Sequence, residues 1–398
     1  MKPDTAWRVA PAAEASDPEE VRFSTFNASL NRSSSGELVA DLSDGTDPQI
    51  RTVAEIVQRV RPDVLLVNEF DYVADDTAVD LFRDNYLEVG QGGAEPIDYP
   101  YVFVAPSNTG VPSGFDLNND GSVGGPDDAF GFGLFEGQYG MAVFSKYPID
   151  TDAVRTFQQF RWADMPGALL PDDPATPQPA DWFTPEELDA VRLSSKSHWD
   201  VPIHVGKRTV HFLVSHPTPP VFDGDEDRNG RRNHDEIRFW ADYVSRGKAS
   251  GYIYDDAGRR GGLHPGASFV IAGDQNSDPL DGDSVPGAIQ QLTEHRRIAD
   301  PLPSSEGAVE AAKQGGANDA HLSEPRYDTA DFADFGSSGP GNLRADYVLP
   351  AKRLKVRGSG VFWPVSSDPL SRLTGTFPFP SSDHRLVWVD VRVTGGHH

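Results

Sequence analysis

Nine short runs of β-type sequence punctuate the chain, at residues 21–27, 63–69, 101–105, 141–145, 201–205, 209–215, 268–273, 345–349 and 385–393. Some alternate apolar and polar residues, as Leu386, Val387, Trp388, Val389, Asp390 and Val391 do, which suits a half-buried strand. Others are apolar throughout, as Val64-Leu65-Leu66-Val67 is, which suits a strand covered on both faces. Helical spacing is clearest over Pro48–Val60, where Val53, Ile56, Val57 and Val60 share a face and Pro48 fits a first turn. A second helix is expected over residues 235–246, with Ile237, Trp240, Ala241 and Val244 on one side. Long irregular insertions lie between: 106–138 rich in Gly and Asp, 164–186 rich in Pro, and 303–342 polar with Gly and Ser. Loops of this length in a compact domain are usually functional or mobile. The pattern is a strand-dominated α/β chain forming one domain over residues 21–394, after a flexible N-terminal segment 1–20 and before a tag-like ending 395–398.

Composition narrows the chemistry. The 398 residues include no cysteine, so disulfides, thiolate metal sites and thiol nucleophiles are excluded, and any metal must sit on oxygen or imidazole. No window approaches 18 consecutive apolar residues, so no membrane span is expected. The net charge of −26 comes from 44 Asp and 17 Glu against 27 Arg and 8 Lys. Such a charge opposes adhesion to nucleic acid or anionic lipid, and it suits a protein that holds hard divalent cations. An acidic surface fits extracellular or periplasmic surroundings, an export signal having been removed. No protein partner is evident.

The chemistry-bearing residues sit where the β runs end. Asn27 closes the first run and Glu69 the second; His216 follows 209–215. Asp274 and Asn276 follow 268–273, Asp346 lies in Arg344-Ala345-Asp346-Tyr347, and Asp383-His384 precede the last run. Any one of these could be a turn former or a cap. Together they can converge on one rim of a pair of sheets and supply carboxylates, imidazoles and an amide donor at one place.

In this order the chain resembles the endonuclease/exonuclease/phosphatase superfamily, over most of its length. The pieces that carry the resemblance are Asn27, Asn68-Glu69, Gly140-Met141-Ala142-Val143-Phe144-Ser145, Ser215-His216, Gly273-Asp274-Gln275-Asn276, Arg344-Ala345-Asp346-Tyr347 and Ser382-Asp383-His384. The resemblance implies an α/β four-layer sandwich: two packed mixed β-sheets flanked by helices, here with long loop insertions. It also implies a principal divalent metal (Mg²⁺, Mn²⁺ or Ca²⁺) on Glu69, with Asn27 and Asp383 close by. Glu69 is the best ligand on chemical grounds too, since a carboxylate can hold such a cation alongside water and phosphate oxygen. His384 then acts as base or orienter towards water, with Asp346 fixing its tautomer. Asp274 positions or deprotonates the attacking water, Asn276 donates to the developing charge, and His216 contacts the scissile phosphate. Many relatives carry Asp or Asn two residues after the first motif's Asn, whereas this chain has Ser29. Gln138 and Tyr139 are the candidates for a phosphate contact just ahead of the Gly140–Ser145 motif.

Two stretches have the spacing of calcium loops. In 116–127, Asp116, Asn118, Asp120 and Asp127 stand at loop positions 1, 3, 5 and 12, with Gly121 at 6 and Ser122 at 7. In 225–236 the same positions hold Asp225, Asp227, Asn229, Gly230, Arg231 and Glu236. Structural Ca²⁺ would then order insertions that otherwise cost entropy to fix. Arg231 and Arg232, fifteen and sixteen residues beyond His216, are the best candidate cations for substrate phosphate.

The expected function is a metal-dependent phosphoric ester hydrolase, a secreted phosphatase acting on small phosphorylated molecules. The alternative is an extracellular nuclease or phosphodiesterase of the same fold. A nuclease commonly has a basic track for the backbone, and the charge of this chain disfavours one.

Overall fold

A computed structural model describes residues 19–332 and 339–394. The segment 1–20 and the ending 395–398 therefore lie outside the described residues, except for Glu19 and Glu20, which open the first strand. Thirteen strands are described: β1 (Glu19–Leu30), β2 (Val64–Phe70), β3 (Tyr101–Phe103), β4 (Met141–Ser145), β5 (Arg155–Thr156), β6 (His198–Val205), β7 (Arg208–Ser215), β8 (Ser268–Asp274), β9 (Ala330–Asp331), β10 (Asn342–Leu343), β11 (Asp346–Pro350), β12 (Lys355–Val361) and β13 (Val387–Val393). The helices that matter below are α1 (Glu37–Leu42), α2 (Pro48–Val60), α3 (Thr77–Phe82), α4 (Pro185–Leu188) and α5 (Arg228–Tyr243).

A six-stranded sheet runs β12-β13-β1-β2-β4-β3 and a five-stranded sheet runs β11-β8-β7-β6-β5. Their facing sides share one apolar layer, in which Val21, Phe23, Leu66 and Val143 meet Val201, Phe212, Val270 and Val348. Outside the first sheet, the α2 stripe Ile50, Val53, Ile56 and Val57 packs on Leu65, Val67 and Phe144. Outside the second, Ile237, Trp240 and Val244 cover Leu213, Ile271 and Leu349. The result is the expected four-layer α/β sandwich of two mixed sheets with helices outside. α2 begins where Asp47 accepts the Ile50 N–H at 2.8 Å, and it ends where Arg61 turns left-handed.

Topology explains why the strand-end residues meet. β1 and β2 are parallel, with Asn27 opposite Asn68, so Asn27 and Glu69 leave the first sheet at the same rim. β7 and β8 are parallel in the second sheet, which puts His216 and Asp274 at that sheet's matching rim. β11 runs antiparallel to β8 with Asp346 paired to Asp274, and β13 runs antiparallel to β1, so Asp346 and His384 enter their strands where the others leave. Gly273 holds φ 148°, and a side chain there would overlap the Ser215 carbonyl. Only glycine lets β8 lie this close to β7 at the rim.

Several elements depart from the sequence expectation, among them the additional helices α1 and α3. α5 starts at Arg228, seven residues before the expected start, because its first turns bury polar groups. Asn233, for instance, is fully buried and donates to the carbonyls of Thr218 and Gln275 at 2.8 and 2.9 Å. β12 was not anticipated: Gly358 and Gly360 interrupt its pattern because they lie against the Trp388 ring.

Candidate active site

The rim begins with a backbone irregularity. The β1–β2 register shifts between Asn27 and Leu30, and Ser29 and Glu69 both take left-handed φ values, 49° and 58°. Such a bulge re-aims the side chains on either side of it. Ten non-glycine residues have positive φ among those described, and Ser29, Glu69, Tyr139, Phe222 and Asn276 are five of them. Each costs about 1–2 kcal/mol, so half of this strain is concentrated around one cleft.

Glu69 is half-buried, and its two oxygens accept from the amides of Asn27 and Asn31 at 3.0 and 2.7 Å. Asn27 also donates to Asp274 Oδ2 at 3.0 Å, which links the two sheets. Asn68 links them again, its Oδ1 accepting from Thr25 Oγ1 at 3.3 Å and from the Asp274 N–H at 3.1 Å. Asp383 sits beside this group, its Oδ1 3.5 Å from Ser29 Oγ. Ser29 therefore stands next to the proposed ligand Asp383, though its hydroxyl is a weaker ligand than the acid or amide of many relatives.

Asp274 is the hub. Its Oδ2 lies 3.3 Å from His216 Nε2 and 3.6 Å from His384 Nε2, and its Oδ1 accepts the Asn276 N–H at 2.9 Å. His384 Nδ1 is 2.8 Å from Asp346 Oδ2, so the ring bridges two carboxylates. Asp274, Asp346 and His384 offer ligand-type atoms all within 4.8 Å of one another, and all three are buried. Burial pulls the His384 ring down, but the Asp346 and Asp274 charges outweigh it and hold the ring well above the usual histidine range. Burial pushes Asp274 up, yet the His384 and His216 rings and the Asn27 amide hold it well below the usual carboxylate range. Burial raises Asp346, whose Oδ1 has no partner. All three shifts favour a proton on the His384 ring, between the two carboxylates.

Three members of this site were missed in the sequence. Thr329 Oγ1 donates to Asp346 Oδ2 at 2.8 Å and accepts the Asp346 N–H at 2.9 Å, fixing the partner of His384. Asn31 shares Glu69 with Asn27. Asp71 accepts the Arg32 and Tyr139 N–H groups at 2.8 and 3.0 Å, and burial pushes it up to about 7. None of the three stands in a motif that marks it in the sequence, and Asp71 lies just beyond the end of β2.

The cleft opens into a cavity of about 500 Å³ walled by the insertions, with Glu69 and His216 in its lining. Tyr139 lines it, whereas Gln138 is buried and spends its amide on Arg32 O and Leu134 N, at 2.6 and 2.7 Å. Arg232 reaches the cavity wall, but its guanidinium is committed to the carbonyls of Phe130, Arg192, Leu193 and Ser194. Arg231 is not in the lining and donates to Leu170 O at 3.1 Å. Both arginines brace the wall rather than offer a free fork to phosphate.

The stretch 225–236 does not form a loop around an ion. α5 begins at its fourth residue, so Asn229 and Arg231 lie in a helical turn, and Asp225 is exposed ahead of it. Asp227 turns left-handed to cap α5, and Glu236 is buried, accepting the Ser195 and Thr218 N–H groups at 2.8 and 2.6 Å. In 116–127 a loop does form: Asp116 accepts the Asp120 and Gly121 N–H groups at 3.1 and 2.8 Å, and Asp120 accepts Ser122 N–H at 2.8 Å. Asn118 Oδ1 joins them on Asp120 N–H at 3.1 Å. Asp128, not Asp127, closes this loop, holding Leu117 N–H and Gly124 N–H at 2.7 and 2.8 Å, while Asp127 lines the cavity.

The sequence matches the Endonuclease/Exonuclease/phosphatase family over residues 24–384. No curated protein matches the chain. Solved structures similar to it include an endonuclease/exonuclease/phosphatase from Beutenbergia cavernae, at 15% identity over 94% of this chain and 72% of that one, with a TM-score of 0.48. Truncated TDP2 from Caenorhabditis elegans aligns at 15% identity over 94% of this chain and 98% of that one, TM-score 0.43. Sphingomyelinase C from Streptomyces griseocarneus aligns at 15% identity over 94% and 99% of the two chains, TM-score 0.44. With the family match spanning from β1 to His384, and the motif residues gathered on one rim of two packed sheets, this chain belongs to the endonuclease/exonuclease/phosphatase family and is a phosphoesterase of that family.

Proposed function

We propose that the protein hydrolyses phosphate esters of small molecules by in-line attack of water, with a divalent cation at Glu69. The carrying observation is that Glu69 and His216 line a cavity of small-molecule size whose arginines, Arg228 and Arg232, are tied to Glu226 and to backbone carbonyls rather than laid out as a track. The donor set fits a hard cation: Glu69 and Asp383 form no ion pair among the described residues, and Asp274 and Asp346 add two more carboxylates nearby. Glu69, Asp383 and Asn27 would hold it, Asn27 with its amide turned to present oxygen. A cation bound there neutralises phosphate charge and acidifies the attacking water.

The remaining steps belong to the chain. Asp274, held ionised, takes the hydrogen bond of the attacking water, aims its lone pair at phosphorus and relays its proton onward, since a carboxylate held below its usual range does not keep one. His384, between Asp346 and Asp274, and the Asn276 amide, whose other N–H is held by the Pro217 carbonyl at 3.1 Å, stabilise the negative charge that grows on the phosphoryl oxygens. His216 Nδ1 has no partner in the chain and the ring lines the cavity, so the imidazolium form, with Nε2–H on Asp274, would pass its Nδ1 proton to the leaving oxygen and return to the neutral ring. The acidic charge of −26 supports an extracellular or periplasmic setting and small substrates over nucleic acid. A calcium ion in 116–127 is part of the same proposal, whereas 225–236 is no longer one.

The test is a panel of phosphomonoester, bis-ester, plasmid DNA and sphingomyelin, each with Mg²⁺, Mn²⁺, Ca²⁺ or chelator. Metal-dependent turnover of the small esters is expected. Cleavage of DNA without turnover of any small ester makes the protein a nuclease, and full activity in chelator removes the cation from the mechanism.

A further inference from the structure

The cavity is more specialised than a phosphate site requires. Its volume of about 500 Å³ is far larger than a phosphoryl group and falls in the range of small-molecule pockets. The walls are aromatic: Phe130, Trp162 and Phe183 come from three separate stretches of chain. At its mouth stand two exposed aromatics, Phe132 at 52% and Phe222 at 85% exposure. Phe222 is also held at φ 66°, a costly conformation for a bulky residue. Neither rim ring is buried in any core cluster, so core packing does not account for their place.

Of the cations that line this chamber, Arg228 is paired with Glu226 and Arg232 is bonded to backbone carbonyls, which leaves Lys196. Lys196 lines the cavity with its side chain almost wholly buried, and its ammonium has no hydrogen bond or ion pair among the described residues. Its backbone is fixed, since Lys196 O accepts the Asn108 N–H at 2.9 Å and Gly131 packs on the Ser195 carbonyl, where a side chain could not fit. Burial lowers the ammonium's pKa, although Glu236, Glu69 and Asp274 pull the other way. A buried, unpartnered cation next to aromatic walls suits a ligand that is anionic at one end and ring-like at the other.

We propose that this cavity receives the organic part of the substrate, and that the protein prefers phosphate esters of flat, largely apolar ring alcohols. Phe132 and Phe222 close on the ring at the mouth, and Lys196 holds the anionic end where the cavity meets the catalytic rim. This deepens the small-molecule phosphoesterase reading and rests on it.

Non-hydrolysable phosphonates separate recognition from leaving-group reactivity. Methylphosphonate, decylphosphonate and naphthylmethylphosphonate, each as the free acid and as its methyl ester, are titrated into the whole protein by calorimetry. The naphthyl compound is expected to bind at least tenfold tighter than the methyl compound. Phe132→Ala/Phe222→Ala, altered only at exposed positions, should lose most of that advantage while binding methylphosphonate as the wild type does. Lys196→Met should weaken every phosphonate together. Equal affinities across the series, or a double variant that keeps the naphthyl advantage, overturn the inference. Decylphosphonate binding as tightly as the naphthyl compound makes the pocket a chain site and overturns the ring assignment. The two readings fail separately: turnover of small esters with no ring preference sinks only this inference, and tight naphthyl binding with no phosphoester turnover sinks only the reaction.

Discussion

At the residue scale, the centre of the site is a ladder: Thr329 donates to Asp346, Asp346 holds His384, and His384 faces Asp274. Each rung lies further from the phosphoryl group, so removal should cost progressively less. His384→Ala is expected to lower kcat by roughly 10²–10³-fold, the scale of one charge-stabilising group. Asp346→Asn should cost less, because the ring remains. Thr329→Val should cost about 10-fold, the lower end for a group that only orients a functional side chain. Thr329→Ser keeps the hydroxyl and should restore the rate, which a loss of packing alone would not allow. KM should move little in all four, since the ladder acts on charge that grows in the transition state. Steady-state kinetics on a small ester tests this; a Thr329→Val rate equal to wild type removes the rung. Thr329 itself was not legible beforehand, since a lone threonine ahead of a two-residue strand has no motif to mark it.

At the element scale, the insertions are where legibility failed and where two further predictions lie. Sequence patterns read the apolar faces well: α2 and β4 have the bounds expected, because each buries an uninterrupted apolar set. They misread α5, because its first turns bury Gly230 and Asn233 on polar partners, and an acidic run beside such a helix mimics a calcium loop. The run 116–127 keeps loop geometry. If it holds calcium, chelator should lower the melting temperature of the wild type by more than that of Asp120→Ala, which keeps only the cation at Glu69 to lose, since a ligand of the folded state alone raises stability. Equal shifts in the two proteins make the loop a set of turns and nothing more. Nearby, Asp281 ties down Leu322 N–H and Ser323 N–H at 2.9 Å each, and the strap it anchors carries Asp328. Asp328 is buried with one oxygen unpartnered, and burial, aided by Asp278 and Asp281, pushes it up to about 8. Its folded state therefore binds a proton more tightly than the unfolded chain. The stability this contributes is full below about pH 4 and is lost as pH rises through about 8. Asp328→Asn should be more stable than wild type at pH 8.5, by on the order of 2–3 kcal/mol, and no more stable at pH 4. Denaturant melts at both pH values check the sign, and a wild type that gains stability from pH 4 to 8 relative to the variant contradicts it.

At the scale of the whole molecule, activity depends on two sheets meeting in register at one rim, and that meeting rests on few groups. The sequence made the convergence of Asn27, Glu69, His216, Asp274 and His384 readable, since parallel and antiparallel pairing dictates which strand ends share a side. It did not make readable what holds the sheets at the right separation there, because a buried amide reads as one more strand residue. Asn68 does this: one oxygen accepts from Thr25 in its own sheet and from the Asp274 N–H in the other. Replacing it with valine leaves a hydroxyl and a backbone N–H without an acceptor in a fully buried place. Each orphaned group costs about 1–3 kcal/mol, so Asn68→Val should lose roughly 2–6 kcal/mol of stability. A chain of this size would then melt only several degrees lower and stay folded at 25 °C. The rate should fall much further than the melt implies. Asp274 would be held against the first sheet by the Asn27 amide alone, and misplacement by about 1 Å of a water-orienting group costs on the order of 10²-fold. The discriminating measurement is kcat at 25 °C beside the thermal melt of the same preparation. A variant that melts lower yet turns over at the wild-type rate would show that the rim is positioned by the sheets' apolar layer and the Asn27–Asp274 bond, with Asn68 contributing only to stability.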